Sequence, residues 1–233
     1  MGNKYPNNEK IMSRFENKFQ FVICGTDTDI GKTLISSFFV RGLNSFYWKP
    51  IQSGTESQTD SQTIVKLTNS NKEKIINEAY VFTKPLSPHW ASEIDQKTIN
   101  LDNLKLPKVN GPLIVETAGG LMVPITRNFL QIDQIKKWDL PVILVCKSSL
   151  GTLNHTLLSI EALQKRNINI LGIVVNGEKH TDNPKTLVDF SGLPIIAEFP
   201  YIRRIAPEKL DILWEELQIK KILVSLLNSK KTK

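Results

Sequence analysis

Residues 25–33 read Gly-Thr-Asp-Thr-Asp-Ile-Gly-Lys-Thr and stand between an apolar run, residues 19–24, and a helical pattern that begins at Leu34. A strand, a glycine-bounded loop and a helix starting in Gly-Lys-Thr predict a phosphate-binding loop, because backbone N–H groups and the helix N-terminus wrap phosphate oxygens. Lys32 would reach the β- and γ-phosphates, and the Thr33 hydroxyl would ligate Mg²⁺. Five residues separate the two glycines, whereas the common pattern has four, so a chance Gly-Lys-Thr at a helix start stays an alternative.

Apolar runs alternate with helical patterns along the rest of the chain. Strands are predicted over residues 19–24, 46–48, 113–116, 141–146, 170–175 and 194–199, and helices over 34–43, around 64–67, over 130–138 and 154–165, and after 210. Continuously apolar strands alternating with helices indicate one parallel sheet with helices on both faces. We therefore predict an α/β, P-loop NTPase-like fold: a polar N-terminal extension at 1–18 and a single domain over 19–233. Two prolines within 80–91 predict a loop there.

Polar residues gather where the predicted strands end. These segments are 26–33, 49–53, 116–120 and 147–154, together with Asn176. In open parallel sheets, ligands bind at the carboxyl ends of the strands. This clustering is the main argument from the residues themselves for an enzyme site.

Three of these polar side chains, and Asp60 at a predicted helix start, have both a functional and a plainer interpretation. Glu116 could ligate Mg²⁺ or be a structural carboxylate, and Asp60 could do the same or act as a helix cap or dipole partner. Lys49 ends a buried strand, where it would meet an anion unless it reaches the solvent at an edge. Asn176 could pair with an adenine edge or simply form an Asn-Gly turn. The residues alone support Mg²⁺- and ATP-dependent phosphoryl chemistry.

The charge and the apolar content limit the class of protein. The net charge is +7, which suits either nucleic acid or an anionic small molecule, but the lysines are dispersed apart from a cluster at 230–233. Cys24 and Cys146 are predicted to be packing residues within strands. No apolar run approaches the roughly 20 residues of a membrane helix, and the N-terminus lacks the apolar segment of a signal peptide. We expect a cytoplasmic protein with no nucleic acid and no membrane among its partners.

Several motifs together resemble the dethiobiotin synthetase family. They are Gly-Thr-Asp-Thr-Asp-Ile-Gly-Lys-Thr (25–33), Trp-Lys-Pro-Ile-Gln-Ser-Gly (48–54), Ser-Pro-His (87–89), Glu-Thr-Ala-Gly-Gly (116–120) with Pro124, Gly-Thr-Leu-Asn-His (151–155), Asn176 and Glu-Phe-Pro (198–200). They occur in the family's order over about residues 20–202. The five-residue glycine gap is distinctive of this family, so the unusual spacing becomes a positive signal.

The resemblance implies a single α/β domain that forms a homodimer, and it assigns the site residues. ATP would be bound by Asp29, Ile30, Gly31, Lys32, Thr33 and Leu34, with Asn176 and Pro200 at the adenine. Mg²⁺ would be held by Thr33, Asp60 and Glu116, and the catalytic residues would be Lys49, Lys32 and Thr28. The substrate would contact Thr28, Lys49 and Ser53, while Leu150, Gly151 and Asn154 would hold its distal carboxylate across the dimer interface.

The implied reaction starts from 7,8-diaminononanoate and CO₂. One amine becomes a carbamate, and a carbamate oxygen attacks the γ-phosphoryl group of ATP to give a mixed carbamic-phosphoric anhydride. The second amine then closes the ureido ring and releases phosphate. Catalysis would come mainly from positioning and from neutralisation of charge by Lys32, Lys49 and Mg²⁺.

Thr117 departs from the family pattern, His155 has no evident role, and two other families compete with the resemblance. Thr117 stands where the family commonly has glycine, and His155 matches a motif without an evident role. A ParA/MinD-like switch ATPase that binds DNA or membrane is the main alternative, but its relatives carry a lysine early in the loop, where this chain has Gly-Thr-Asp at 25–27. An amidotransferase-type cobyrinate ligase would need a glutaminase domain, for which we expect no room.

Overall fold

The structure is a computed structural model that describes residues 19–229. Strands and helices alternate along this part of the chain. The strands are β1 (Gln20–Gly25), β2 (Phe46–Trp48), β3 (Ile51–Ser53), β4 (Ile75–Ile76), β5 (Tyr80–Phe82), β6 (Leu113–Gly120), β7 (Pro124–Thr126), β8 (Phe129–Leu130), β9 (Val142–Lys147), β10 (Ile170–Gly177) and β11 (Ile195–Pro200). The helices are α1 (Lys32–Leu43), α2 (Asp60–Thr68), α3 (Pro88–Ile94), α4 (Gln131–Trp138), α5 (Thr152–Gln164), α6 (Asn183–Ser191), α7 (Pro207–Glu216) and α8 (Ile219–Ser229), and 3₁₀ turns span Lys72–Lys74 and Leu101–Leu104.

A seven-stranded sheet in the order β11-β10-β9-β1-β6-β2-β4 forms the centre of the molecule. All of its strand pairs are parallel. The predicted α/β fold with a parallel sheet is therefore confirmed. Because parallel strands run in one direction, the polar segments that follow β1, β2, β9 and β10 lie at the same edge of the sheet.

The residues of β1 show how the sheet divides the core. Alternate side chains point to opposite faces, so Phe21 and Ile23 pack on one face and Val22 and Cys24 on the other. Helices α1, α7 and α8 cover the first face, and α4, α5 and α6 cover the second. The strands are apolar on both sides because helices bury both sides. Cys24 and Cys146 are buried and free, as predicted.

Two details of the sequence-based prediction are wrong. The segment 80–91 is not a loop: β5 pairs with β3, and α3 begins at Pro88. Proline suits the first turn of a helix, because its missing N–H has no helical partner there and its φ is already helical. Strand β6 also continues beyond Glu116 to Gly120, after an irregular register against β1. A backbone ladder does not require apolar side chains, so the polarity at Glu116 did not end the strand.

Some elements were not predicted, and some predictions fall outside the described residues. The further missed elements are the short strands β3 and β4, the helix α6 and the antiparallel pair β7–β8. The proposed extension at 1–18 and the basic cluster at 230–233 lie outside residues 19–229, so the predicted domain bounds stay a prediction. Among the helices described, none is both long enough and apolar enough to span a bilayer.

Candidate active site

The phosphate loop, residues 25–33, is shaped by left-handed backbone conformations and by contacts from outside the loop. Asp29 has φ +53° and Gly31 has φ +92°. A Cβ atom at Gly31 would collide with the side-chain amide of Asn176, which donates to the Ile30 carbonyl at 2.8 Å. Glycine is thus required at this position both by its φ and by the close approach of β10.

Lys32 and Thr33 form the first residues of α1 and turn in different directions. Lys32 is 7% exposed, and its ammonium donates to the carbonyl of Asp27 within the same loop at 2.7 Å. Thr33 faces the acidic residues instead. The helix N-terminus adds a partial positive charge at this point, so the backbone and Lys32 together favour an anionic ligand.

Three oxygen atoms converge next to the phosphate loop. Thr33 Oγ1 lies 2.7 Å from Asp60 Oδ1 and 2.8 Å from Glu116 Oε1. A hydroxyl has one proton and can donate to only one of these carboxylates at a time. One hydroxyl and two carboxylates form a set of hard oxygen ligands of the kind that Mg²⁺ prefers. The donor chemistry of this set therefore fits the metal implied by the sequence.

The local structure frees Asp60 from a capping role. Asp60 is the first residue of α2, but the N-cap is Thr59, which forms a capping box with Gln62. The carboxylate of Asp60 instead accepts hydrogen bonds from Thr33 and Lys49. The interpretation of Asp60 as only a helix cap is therefore wrong.

Lys49 lies directly after β2 and is buried among these acids. It is 6% exposed, forms an ion pair with Asp60, and places Nζ 3.5 Å from Glu116 Oε1. It does not reach the solvent at the edge of the sheet, so that alternative is wrong. We refer to Thr33, Lys49, Asp60 and Glu116 as the carboxylate cluster.

Burial and neighbouring charges act differently on the ionisable groups of the site. Burial lowers the pKa of Lys49, but Glu116 and Asp60 outweigh burial, so this pKa is raised. The pKa of Lys32 is lowered, because burial is reinforced by the charge of Lys49 and only partly opposed by Glu116. Burial would raise the pKa of Asp60, but Lys49 and the hydrogen bond from Thr33 outweigh burial, so this pKa is lowered. A bound anion beside Lys32 would stabilise the charged form of that lysine.

Two cavities flank Gly31 and Asn176. The first has a volume of about 310 Å³, and the second about 600 Å³. The first brings together the predicted site residues Thr28, Asp29, Gly31, Lys32, Thr33, Lys49, Asp60 and Glu116, and Gly119 completes its lining. The second includes Leu34, Leu150, Asn176 and Pro200. The predicted phosphate and metal residues thus share one cavity, and the predicted adenine residues share the other.

Other predicted site residues lie outside the first cavity. Ser53 ends β3, and its buried hydroxyl has no hydrogen-bond partner among residues 19–229. Gly151 and Asn154 are exposed at the start of α5, and Leu150 beside them is fully exposed. Within the described part of the chain, no group of three His, Cys, Asp or Glu side chains could hold a metal ion. A metal site here would therefore need the Thr33 hydroxyl together with the two carboxylates.

Sequence reasoning missed the residues that support the two acids. The buried Tyr47 hydroxyl donates to Glu116 Oε2 at 3.0 Å, and Gln52 Oε1 accepts from the Asp60 N–H at 3.3 Å. Tyr47 stands two residues before Lys49, and the alternation of side chains along an extended chain was a usable signal for it. Alternation also places Thr117 on the opposite face of β6 from Glu116, and Thr117 does not line the first cavity.

Comparisons with known proteins cover most of the chain. A family profile described as "AAA domain" matches residues 20–209. The ATP-dependent dethiobiotin synthetase BioD of Brucella anthropi is 44% identical over 190 residues, which cover 82% of this chain and 90% of that protein. The enzymes of the same name from Rhodopseudomonas palustris (strain HaA2) and Agrobacterium fabrum are 42% and 41% identical, and the alignments cover 81% and 82% of this chain and 89% and 90% of theirs. The chain belongs to the dethiobiotin synthetase family.

The fold is also similar to that of a solved structure. A ParA family ATPase from Chlorobium tepidum TLS superposes with a TM-score of 0.50, covering 90% of this chain and 98% of that chain at 12% identity. At this identity the match shows the fold alone. The dethiobiotin synthetase relatives do not support the ParA/MinD-like switch as the function.

Proposed function

We propose that this protein is an ATP-dependent dethiobiotin synthetase, which carboxylates and cyclises 7,8-diaminononanoate at the first cavity. The observation that carries this proposal is the convergence of Lys32 and Thr33 with Lys49, Asp60 and Glu116 around one cavity of about 310 Å³. In a chain of this family, that arrangement would place a phosphate loop, two buried lysines and two acids beside the γ-phosphoryl group of ATP. The carboxyl edge of the sheet is where such a ligand binds.

The carboxylate cluster is the proposed Mg²⁺ site. Thr33, Asp60 and Glu116 would hold the ion, because Asp60 Oδ1 and Glu116 Oε1 lie 2.7 Å and 2.8 Å from the Thr33 hydroxyl. When bound, Mg²⁺ neutralises charge on phosphoryl oxygens and helps to orient them. Lys49 already partly balances the two carboxylates, which limits the repulsion between them.

The two lysines of the site have separate proposed roles. Lys32 and the backbone N–H groups of the phosphate loop would hold the β- and γ-phosphates. Lys49, which pairs with both acids, would face the carbamate and the phosphoryl group as it transfers. Its raised pKa keeps it an ammonium, so it stabilises anionic oxygen and does not act as a base. Thr28 lines the same cavity and would orient the diamine.

The chemistry itself requires little covalent participation by the protein. A substrate amine adds to CO₂ and loses a proton to give the carbamate, whose oxygen displaces ADP from the γ-phosphorus. The second amine then attacks the carbonyl carbon of the anhydride, and phosphate leaves as the ring closes. The chain contributes positioning and charge neutralisation.

The adenine and the distal carboxylate are proposed to bind away from the carboxylate cluster. Leu34, Asn176 and Pro200 share the cavity of about 600 Å³, which is large enough for a base and a sugar. Leu150, Gly151 and Asn154 would act in the site of a partner subunit in a homodimer. Their exposure at the start of α5 supports this proposal, because it leaves them available to another chain. We also propose that the protein acts in the cytoplasm.

Product analysis with purified protein tests the function. Dethiobiotin and ADP should form in equal amounts, and formation should require ATP, Mg²⁺, bicarbonate and 7,8-diaminononanoate together. Removal of Mg²⁺ with a chelator should stop the reaction, and added Mg²⁺ should restore it. ATP turnover that proceeds equally well without the diamine would contradict the proposal and favour a switch ATPase.

A further inference from the structure

We propose that Tyr47 is a positioning residue that fixes the orientation of Glu116 for metal binding. The Tyr47 hydroxyl donates a hydrogen bond to Glu116 Oε2 at 3.0 Å, and both side chains are fully buried. The other oxygen, Oε1, faces Thr33 at 2.8 Å and Lys49 at 3.5 Å. The two oxygens of this carboxylate therefore have different partners and different roles.

The register of the sheet explains why Tyr47 reaches Glu116. Strands β2 and β6 are parallel neighbours, and Tyr47 pairs with Ile114, two residues before Glu116. Residues two apart in a strand share a face, so Tyr47, Ile114 and Glu116 all point toward α1. From this position the phenol spans the diagonal distance between the strands. A shorter side chain at 47 would not reach the carboxylate.

The chemistry of the contact restricts the rotation of the carboxylate. A hydrogen bond to an ionised group is stronger than one between neutral groups, and it is stronger still where water is excluded. Without the phenol, Oε2 would lose its donor in a buried position, and the carboxylate could rotate both oxygens toward Lys49. Oε1 would then be less often available, together with Thr33 and Asp60, to a cation.

This inference rests on the proposed Mg²⁺ site, but it concerns a residue that touches neither substrate nor metal. Hydrogen-bond partners of metal ligands typically contribute 10–100-fold to metal affinity. We therefore expect Tyr47→Phe, which retains the ring and its packing, to weaken metal affinity by roughly 10–100-fold. The affinity for the nucleotide without metal should change little, because Tyr47 does not line either cavity of the site.

The test measures metal binding directly. Mn²⁺ affinity is measured by electron paramagnetic resonance with a saturating non-hydrolysable ATP analogue, and the thermal unfolding midpoint is measured in parallel. The matched control is Tyr80→Phe, which also removes a hydrogen-bonded phenol hydroxyl, but on β5 and from contacts with Asn100 and Asn103. Tyr80→Phe should leave Mn²⁺ affinity unchanged. An unchanged affinity in folded Tyr47→Phe would overturn the inference.

A double-mutant cycle shows whether the effect passes through Glu116. In the Glu116→Gln background, Tyr47→Phe should cause little additional loss, whereas an equal loss in both backgrounds would overturn the inference. If Tyr47→Phe does not fold, the native sequence can instead be labelled with fluorotyrosine. Replacing the other three tyrosines assigns the fluorine resonance of Tyr47. This resonance should shift when Mg²⁺, which is diamagnetic, is added. No shift would overturn the inference. Wild-type protein without Mg²⁺-dependent turnover would instead contradict the proposed function.

Discussion

The carboxylate cluster and the start of α5 are both proposed parts of one active site, but the chain builds them differently. In the cluster, Lys49 and Glu116 are buried and held by ion pairs and hydrogen bonds from α1, α2 and β2. At the start of α5, Leu150 and Asn154 are exposed, and Gly151 stands at the helix N-cap with φ +92° and open space around it. The first region is organised by its own chain, whereas the second would be completed by another.

This difference predicts different consequences of substitution. A change in the carboxylate cluster leaves buried charges without their partners, so it should affect chemistry and stability together. A change at the start of α5 removes an exposed group that contributes little to stability, so it should affect only substrate affinity. Substitutions in the two regions should therefore separate an effect on chemistry and stability from an effect on substrate affinity alone.

Lys49→Ala should produce the largest loss. Removal of the ammonium leaves Asp60 and Glu116 facing each other, and it removes the positive charge proposed to act on the carbamate. We expect kcat for dethiobiotin formation to fall by about 10³-fold, as for other buried groups that stabilise transition-state charge. ATP affinity, measured by calorimetry, should change by only a few-fold. An equal collapse of ATP affinity would contradict the substrate-side role. Lys108→Ala is the control, because that lysine is exposed and does not line the cavity.

Asn154→Ala should raise the KM for 7,8-diaminononanoate by about 10–100-fold, the range for a lost hydrogen bond to a charged group, with kcat nearly unchanged. An unchanged KM would contradict contact with the substrate carboxylate.

The comparison becomes sharper when Lys49→Ala and Asn154→Ala subunits are mixed. Random mixing makes about half of the dimers heterodimers. If the two residues act in one site from different chains, each heterodimer has one intact site and one doubly substituted site. Activity at limiting substrate should then return to roughly a quarter of wild type. No recovery would place both residues in a single chain's site.

Gln52→Ala, beside the carboxylate cluster, should have a smaller effect. Gln52 accepts from the Asp60 N–H and donates to the carbonyls of Ser53 and Gly54, so it connects β3 with the start of α2. The Mg²⁺ concentration for half-maximal activity should rise by about two- to tenfold, which corresponds to one neutral hydrogen bond. A loss as large as that of Lys49→Ala would show that Gln52 has a more direct role.

Local patterns in the sequence predicted the sheet and part of the site. The phosphate loop and Glu116 could be recognised because a glycine-bounded turn and a polar end to an apolar run are local signals. The antiparallel pair β7–β8 and the short strand β5 carry too few residues for a periodic signal. The helix α3 was missed because Pro88 is compatible with either a loop or a first helical turn.

Contacts between distant segments could not be predicted in the same way. Alternation relates Tyr47 to Lys49 but does not identify Glu116 as its partner, because Glu116 lies 69 residues from Tyr47 along the chain. Only the parallel register of β2 against β6 brings them together. The cap is a different case: Thr59 and Gln62 are three residues apart, so the capping box that excludes Asp60 as the N-cap was a local signal that the sequence interpretation missed. Local motifs identify residues such as Glu116, but the strand register is needed to identify the side chains that support them.

The smallest effect is expected at Thr117, next to the most buried acid. Thr117 is fully buried, and its hydroxyl has no hydrogen-bond partner within residues 19–229. An unpaired buried hydroxyl costs free energy, so Thr117→Val, which keeps the shape and suits a strand, should raise the free energy of unfolding by up to about 1 kcal/mol. Activity should not change, because the side chain points away from the cavity that Glu116 faces. Denaturant unfolding and kcat/KM for the diamine measure the two effects, and a marked fall in kcat/KM would show that Thr117 belongs to the site after all.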